Sequence, residues 1–114
     1  MSGLLDFPDF VKSLPEIDIS FPGCRGYLLQ GPTQQAVFIG FDRTTKVPEH
    51  VHDEQWELVL AGEVVLDRDG AKRTFRAGDN FLVGAGVPHS AVVSAGYRAM
   101  MVFNSPDRYH RKGE

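Results

Sequence analysis

Cys24 is the lone cysteine in a chain of 114 residues, so no internal disulfide can form. It reads as a small buried hydrophobe rather than a reactive thiol, and together with the missing disulfides it fits a reducing cytoplasm. No run approaches the ~20 apolar residues that a membrane-spanning helix needs. The opening residues MSGLLDFPDFVKSL carry Asp6 and Asp9 and no basic start before an apolar run, so no signal peptide is expected. Neither sign of charge dominates: 12 basic and 15 acidic residues give a net charge of -3, with no long block of either. That balance argues against nucleic acid as a partner. Internal repeats and low-complexity stretches are absent as well.

What remains suffices for one domain. Hydrophobic residues make up 42% of the chain, and a chain of this length buries roughly two thirds of its unfolded surface on folding. Twelve glycines and seven prolines, about one residue in six against a usual ~12%, mark turns more than helices. Phe7, Phe10, Val11 and Leu14 recur at helical spacing, which predicts a short helix over 7–14 with Asp6 as N-cap and Pro15 as its stop. Beyond it the apolar residues fall into short β-favouring runs at 27–29, 36–41, 58–60, 64–66, 81–83, 91–93 and 98–103. Turn signals bound each run: Gly31-Pro32, Gly62, Asp69-Gly70, Gly78-Asp79, Gly84-Ala85-Gly86 and Ala95-Gly96. This pattern predicts an all-β sandwich or small barrel of antiparallel strands, with Asp69-Gly70 as its clearest hairpin.

The chemistry concentrates in the histidines. Of four, His50 and His52 stand two apart, which on a strand puts both imidazoles on one face. His89 follows a glycine-rich turn nearly forty positions later. An isolated histidine on a strand is more often an ordinary polar residue than a ligand, but three neutral imidazoles able to converge suit Zn, Ni, Mn, Fe or Cu. The fourth, His110, lies in the polar tail Arg108 to Glu114 and is expected to be solvated there, with the tail frayed.

The order of these pieces resembles the cupin superfamily. Its second motif reads Gly, five residues, Pro, one residue, Gly, two residues, His and, after three more, Asn. Here the stretch Gly78 to His89 keeps both glycines and the histidine in register, with Gly84 in place of Pro and Val93 in place of Asn. The first motif reads HxH, three or four residues, Glu, six residues, Gly. Counting forward from His52 reaches Glu57, whereas counting back from Gly62 reaches Gln55. The glycine register is preferred, because Gly62 sets where a hairpin turns and a paired strand resists slipping by one residue. The run His50-Val51-His52-Asp53-Glu54-Gln55-Trp56 is also similar to a subgroup of small cupins with HxHxxQW, a later Gly-Tyr like Gly96-Tyr97 and an Arg-Tyr like Arg108-Tyr109.

The resemblance implies a double-stranded β-helix, or jelly roll, with a metal held by His50, His52 and His89 and by Gln55 as an unusual neutral fourth ligand. Glu57 and Val59 then alternate onto the same inward face. Glu57 is the candidate general acid or base; the competing reading pairs it with an arginine such as Arg98 on a neighbouring strand. Phe41, Trp56, Phe81, Met101 and Phe103 are candidates to line a pocket, although ordinary barrel core or dimer contact is the favoured reading for any one of them, and Trp56, next to Gln55, is expected to face the other way, toward a second sheet or subunit. The expected organisation is an N-terminal helix and strand arm over 1–35, with 4–29 including a strand-like Ile17 to Phe21 as dimer contact, a barrel over 36–105, and the tail over 106–114.

A small metal-dependent enzyme acting on an oxygen-bearing small molecule is the leading functional expectation, as a redox-neutral isomerase, lyase or cyclase or as a dioxygenase. A neutral ligand in place of Glu favours the redox-neutral versions. The alternative from another class is a ligand-binding or sensor cupin without turnover. Small cupins are commonly homodimers, and a homodimer is expected here.

Overall fold

The computed structural model describes residues 6–114. Among them one helical turn, α1 (Asp9–Lys12), precedes nine strands: β1 (Cys24–Gln30), β2 (Gln35–Phe41), β3 (Thr45–His50), β4 (Gln55–Ala61), β5 (Glu63–Arg68), β6 (Ala71–Arg76), β7 (Asn80–Val83), β8 (His89–Val93) and β9 (Tyr97–Phe103). They form two antiparallel sheets, one in the order β1-β2-β9-β4-β7 and the other β3-β8-β5-β6. The two sheets face each other as the jelly roll expected from the sequence.

Alternation decides what lies between the sheets. Val37, Ile39 and Phe41 of β2, Val59 of β4, Val64 and Leu66 of β5 and Ala99 and Phe103 of β9 point inward and are almost fully buried. The turns are those that the glycines announced. Asp69 and Gly70 both take positive φ, 52° and 88°, as a two-residue hairpin joining β5 to β6 requires. Gly62 is constrained twice over: its φ is +77°, and a Cβ there would lie 2.8 Å from Ser94 Oγ and 3.0 Å from Tyr97 Cα. No other residue fits, so the hairpin between β4 and β5 turns at Gly62 and sets the register of everything on β4.

Two strands were missed by the apolar pattern. β3 and β6 are the edge strands of their sheet and are mostly exposed, with Lys46, Glu49, Lys72, Arg73 and Arg76 among their residues. Charged edges of this kind discourage pairing with other chains, and they hide the strand from a search for hydrophobic alternation.

The helix is shorter than its periodicity predicts. Phe7 and Leu14 each precede a proline, and a residue in that position is pushed out of the helical region, so only Asp9–Lys12 is left between Pro8 and Pro15. Pro8, not Asp6, occupies the N-cap, and the Asp6 carboxylate instead accepts from the Phe7 N–H at 2.9 Å and pairs with Lys12 at 3.0 Å. Phe7 and Val11 pack on Tyr27, Phe38 and Leu60, covering one end of the outer face of the five-stranded sheet. Residues 4 and 5 of the expected dimer arm lie outside the described residues.

The strand expected over Ile17 to Phe21 reduces to single bridges, Glu16 with Tyr27 and Ile17 with Arg111. The tail, expected to fray, is tied down instead. Asp18 N–H donates to His110 O and Lys112 N–H to Glu16 O, both at 2.8 Å, while the buried Gln35 side chain clamps Tyr109 through its N–H and C=O, both at 2.9 Å. His110 is exposed, as expected. No described helix is long and apolar enough to cross a membrane.

Candidate metal centre

β3 carries Pro48, which has no N–H to give the ladder, and the pairing of β3 with β8 shifts register between Val47 and His50. The shift corrects the expectation that both histidines of the HxH pair sit on one strand. His50 closes β3 opposite His89, the first residue of β8, whereas His52 lies beyond the strand end. The three rings still converge. Their centroids are 4.2 Å apart for His50 and His89, 4.6 Å for His52 and His89, and 5.0 Å for His50 and His52. One ring nitrogen from each lies within 4.8 Å of the others.

The other nitrogens show how the rings are aimed. His50 Nδ1 lies 2.9 Å from Pro48 O, His52 Nδ1 2.6 Å from Asp53 O, and His89 Nδ1 2.9 Å from Val87 O. A carbonyl only accepts, so each Nδ1 carries the proton and each Nε2 keeps a free lone pair. Backbone carbonyls that fix the tautomer in this way are the usual outer partners of metal-bound imidazole. Burial adds to the effect, pushing His52 down to about 4 and lowering His89 as well, with the nearby Arg108 cation acting in the same direction on both. Neutral imidazoles gathered without a carboxylate among them fit a divalent cation and offer little to an anion.

β4 supplies the polar wall beside the histidines. Gln55 and Glu57 alternate inward, 6% and 4% exposed, and both line the cavity that the histidines line. Gln55 Nε2 donates to Glu57 Oε1 at 2.8 Å, and Tyr97, fully buried on β9, donates its hydroxyl to Glu57 Oε2. Burial pushes Glu57 up to about 7, with the Tyr97 and Gln55 hydrogen bonds pulling against it. Tyr97 is raised by burial first and by the Glu57 charge second. Glu57 does not belong to the group of side chains close enough to share an ion. Nor does it pair with Arg98, whose guanidinium lies 2.9 Å from the exposed Asp42.

The cavity between the sheets has a volume of about 300 Å³. Phe41, Phe81, Met101 and Phe103 line it while Phe41, Phe81 and Phe103 also belong to the buried core, and Phe103 meets His52 edge-on at 5.4 Å. Trp56 points to the outer face and donates to Asn80 Oδ1 at 3.3 Å.

Two residues of the site were not assigned a role from the sequence. Tyr97 was visible only as half of a Gly-Tyr pair, and its partner Glu57 is forty positions away. Arg108 sat in the tail expected to fray. Its guanidinium lies over the rings of Tyr109 at 4.5 Å and Phe103 at 5.7 Å and borders the cavity. Its Nε is shut off from solvent with no hydrogen-bond partner, the one such side-chain atom among the described residues. The Arg-Tyr pair was the available signal, because the Gln35 clamp on Tyr109 is what turns Arg108 inward.

Comparison with known proteins agrees with this arrangement. A search of curated proteins finds no match. Among solved structures, an RmlC-like cupin from Shewanella frigidimarina is 32% identical with a TM-score of 0.71, covering 82% of this chain and 86% of that one. KdgF from a Halomonas species is 27% identical with a TM-score of 0.71, covering 81% and 86%. An oxalate decarboxylase from Lactobacillus farciminis, 18% identical, shares the fold with a TM-score of 0.72 over 90% of this chain and 35% of its own. The family model for the cupin domain matches residues 38–104, the stretch that runs from β2 to just past β9 and contains all three histidines. A jelly roll that closes around a histidine cluster at these spacings, matched by that model over most of its length, places the chain in the cupin superfamily.

Proposed function

We propose that the protein is a metal-dependent enzyme that binds one divalent transition metal through His50, His52 and His89, with the Gln55 carbonyl oxygen as fourth ligand, and acts on a small anionic substrate. The observation that carries the metal reading is a shared hydrogen-bond pattern: each Nδ1 faces a backbone carbonyl, which leaves the Nε2 lone pairs free on three converging rings. Zn, Ni, Mn, Fe or Cu would suit such a donor set. Bound there, the metal would polarise an oxygen of the substrate as a Lewis acid.

The chain's own residues supply the rest. Arg108 offers a guanidinium cation that lies over the rings of Tyr109 and Phe103 and borders the cavity, which suits a carboxylate or another anionic oxygen. Phe41, Phe81 and Phe103 make the remaining wall apolar and keep water out. Glu57 holds or releases a proton near neutrality, the range that suits a general acid or base. A neutral amide ligand disfavours high oxidation states of the metal, which points to redox-neutral isomerase, lyase or cyclase chemistry over dioxygenation. Homodimerisation belongs to the same proposal, supported by the apolar outer face of the five-stranded sheet.

The test begins with elemental analysis of protein purified without a tag. About one equivalent of a transition metal is expected, and a preparation that holds none and takes up none on dialysis overturns the reading. A panel of small hydroxy and oxo acids, each beside its neutral amide, is then titrated onto the loaded protein. Binding of acids but not of amides, lost in Arg108→Gln, supports the substrate class, and equal binding of both rejects it. Oxygen uptake during turnover would replace the redox-neutral version by an oxygenase.

A further inference from the structure

Glutamine is an ambiguous metal ligand, because its two ends are nearly the same shape and only one of them can face a cation. The carbonyl oxygen binds; the NH2 end repels. Something must therefore decide which end of Gln55 is turned toward the histidines. The surrounding strand does not, since its neighbours across β7 and β9 are Val83 and Phe103, which have no polar side-chain atoms to tell the ends apart. We infer that Glu57 and Tyr97 form an orienting relay, in which the Glu57 carboxylate captures the NH2 end of Gln55 and Tyr97 holds that carboxylate in place, leaving the carbonyl oxygen for the metal. The inference rests on Gln55 being the fourth ligand.

Each part of the relay has a direction. Tyr97 is fully buried on β9 and gives its hydroxyl proton to Glu57 Oε2. The other carboxylate oxygen, Oε1, is thereby the one presented to Gln55, and it accepts from Nε2 at 2.8 Å. In its ionised form the Glu57 carboxylate accepts at both oxygens and has nothing to donate to the Gln55 carbonyl, so above its titration the reversed amide would set oxygen against oxygen inside a buried site. That carbonyl takes no hydrogen bond from any described group, and Gln55 lines the cavity shared with His50, His52 and His89. The spacing of two residues along β4 puts Gln55 and Glu57 side by side on one face, while Gly62 keeps that face inward. Glu57 acts here as a positioning residue, through Gln55, whatever it does with substrate. Outer groups of this kind are typically worth 10–100-fold in metal affinity.

The relay makes a prediction about exchange that a merely structural role does not. In Glu57→Gln the carboxylate is replaced by an amide that can donate or accept at either end, so the amide of Gln55 loses its instruction. Metal affinity, read by competition with a coloured chelator, should fall about ten-fold, and the visible spectrum of the Co(II)-loaded protein should broaden into two species. Tyr97→Phe loosens the carboxylate without removing it and should cost about three-fold. In the double exchange Gln55→Glu with Glu57→Gln, one carboxylate and one amide again face each other, the amide can accept from Tyr97 with its other end, and affinity and a single Co(II) spectrum should return. Retained affinity and an unchanged spectrum in both Glu57→Gln and Tyr97→Phe, alongside weakened binding in Gln55→Ala, would overturn the relay while leaving the ligand assignment intact. Unchanged binding in Gln55→Ala would instead remove the fourth-ligand reading on which it rests. Thermal unfolding of each metal-free variant separates these outcomes from misfolding, and Tyr97→Phe, the smallest change, serves if Glu57→Gln does not fold.

Discussion

The two faces of the five-stranded sheet each depart from the usual arrangement of an antiparallel sheet, the inner one locally among otherwise apolar residues. On the inner face β4 presents Gln55 and Glu57, both buried, next to histidines and an arginine. On the outer face, one residue along each strand, a row runs Leu29, Ala36, Val102, Trp56, Leu82 across all five strands without a charge. Leu29 and Leu82 remain about half exposed, 53% and 49%. An antiparallel sheet with one solvated face is expected to be apolar inside and polar outside. Polar groups on the inside cost desolvation unless they are partnered, and apolar ones on the outside gain nothing until something covers them. The inner face carries the candidate site and the outer face is the surface proposed for a second copy, so each can be disturbed without the other.

The largest effect expected is on the inner face. His50→Ala combined with His52→Ala, or His89→Ala alone, should take bound metal from about one equivalent to none by elemental analysis, with the association state untouched. If metal content survives either change, the centre lies elsewhere.

A pH series on metal-free protein probes the same face through its protonation. Glu57 is raised in the folded state from 4.5 to about 7, so its contribution to stability is fully present below about 4.5 and fades as pH rises through 7. His52 is lowered from 6.5 to about 4, so its contribution is present above 6.5 and is lost as pH falls toward 4. The two oppose each other between the unfolded values and flatten the profile there. In Glu57→Gln only the histidine slope remains, and the stability difference between variant and unchanged protein should shift by up to about 3 kcal/mol from pH 4 to pH 8. Parallel profiles from urea unfolding would show that Glu57 does not titrate where its burial places it.

Arg108→Gln should raise KM for an anionic substrate by about 10–100-fold, the value of a charge-assisted hydrogen bond, with kcat and metal content nearly unchanged. A fall in kcat alone would move Arg108 from binding to the reacting atoms.

The smallest expected effect on the site comes from the opposite face. Leu82→Lys together with Val102→Lys should shift the protein to monomer by sedimentation while leaving metal content within error. An unchanged association state would leave the outer face without the partner proposed for it.

Much of this comparison was legible in the residue pattern. Gly62, Asp69-Gly70 and Gly78 stated where strands turn, and counting back from the turn at Gly62 is what favours Gln55 over Glu57 as the fourth ligand proposed. Trp56, adjacent to Gln55, had to point outward by the two-residue period alone. The charged edges β3 and β6 were not legible, because charges that protect an edge erase the alternation that would reveal a strand. Helical spacing overstated α1, since the two prolines that bracket it outweigh four well-placed apolar residues.

The amino-acid sequence by itself determined the fold family and the three histidines, because turn glycines and short apolar runs act locally and their spacing carries the barrel. Only the tertiary structure decided what surrounds those histidines. Tyr97 reaches Glu57 across forty residues, and Arg108 enters the cavity because Gln35, far from it in sequence, clamps Tyr109. Those contacts depend on which strands become neighbours, and a buried carboxylate or an unspent guanidinium N–H acquires its chemistry from the neighbours that burial assigns to it.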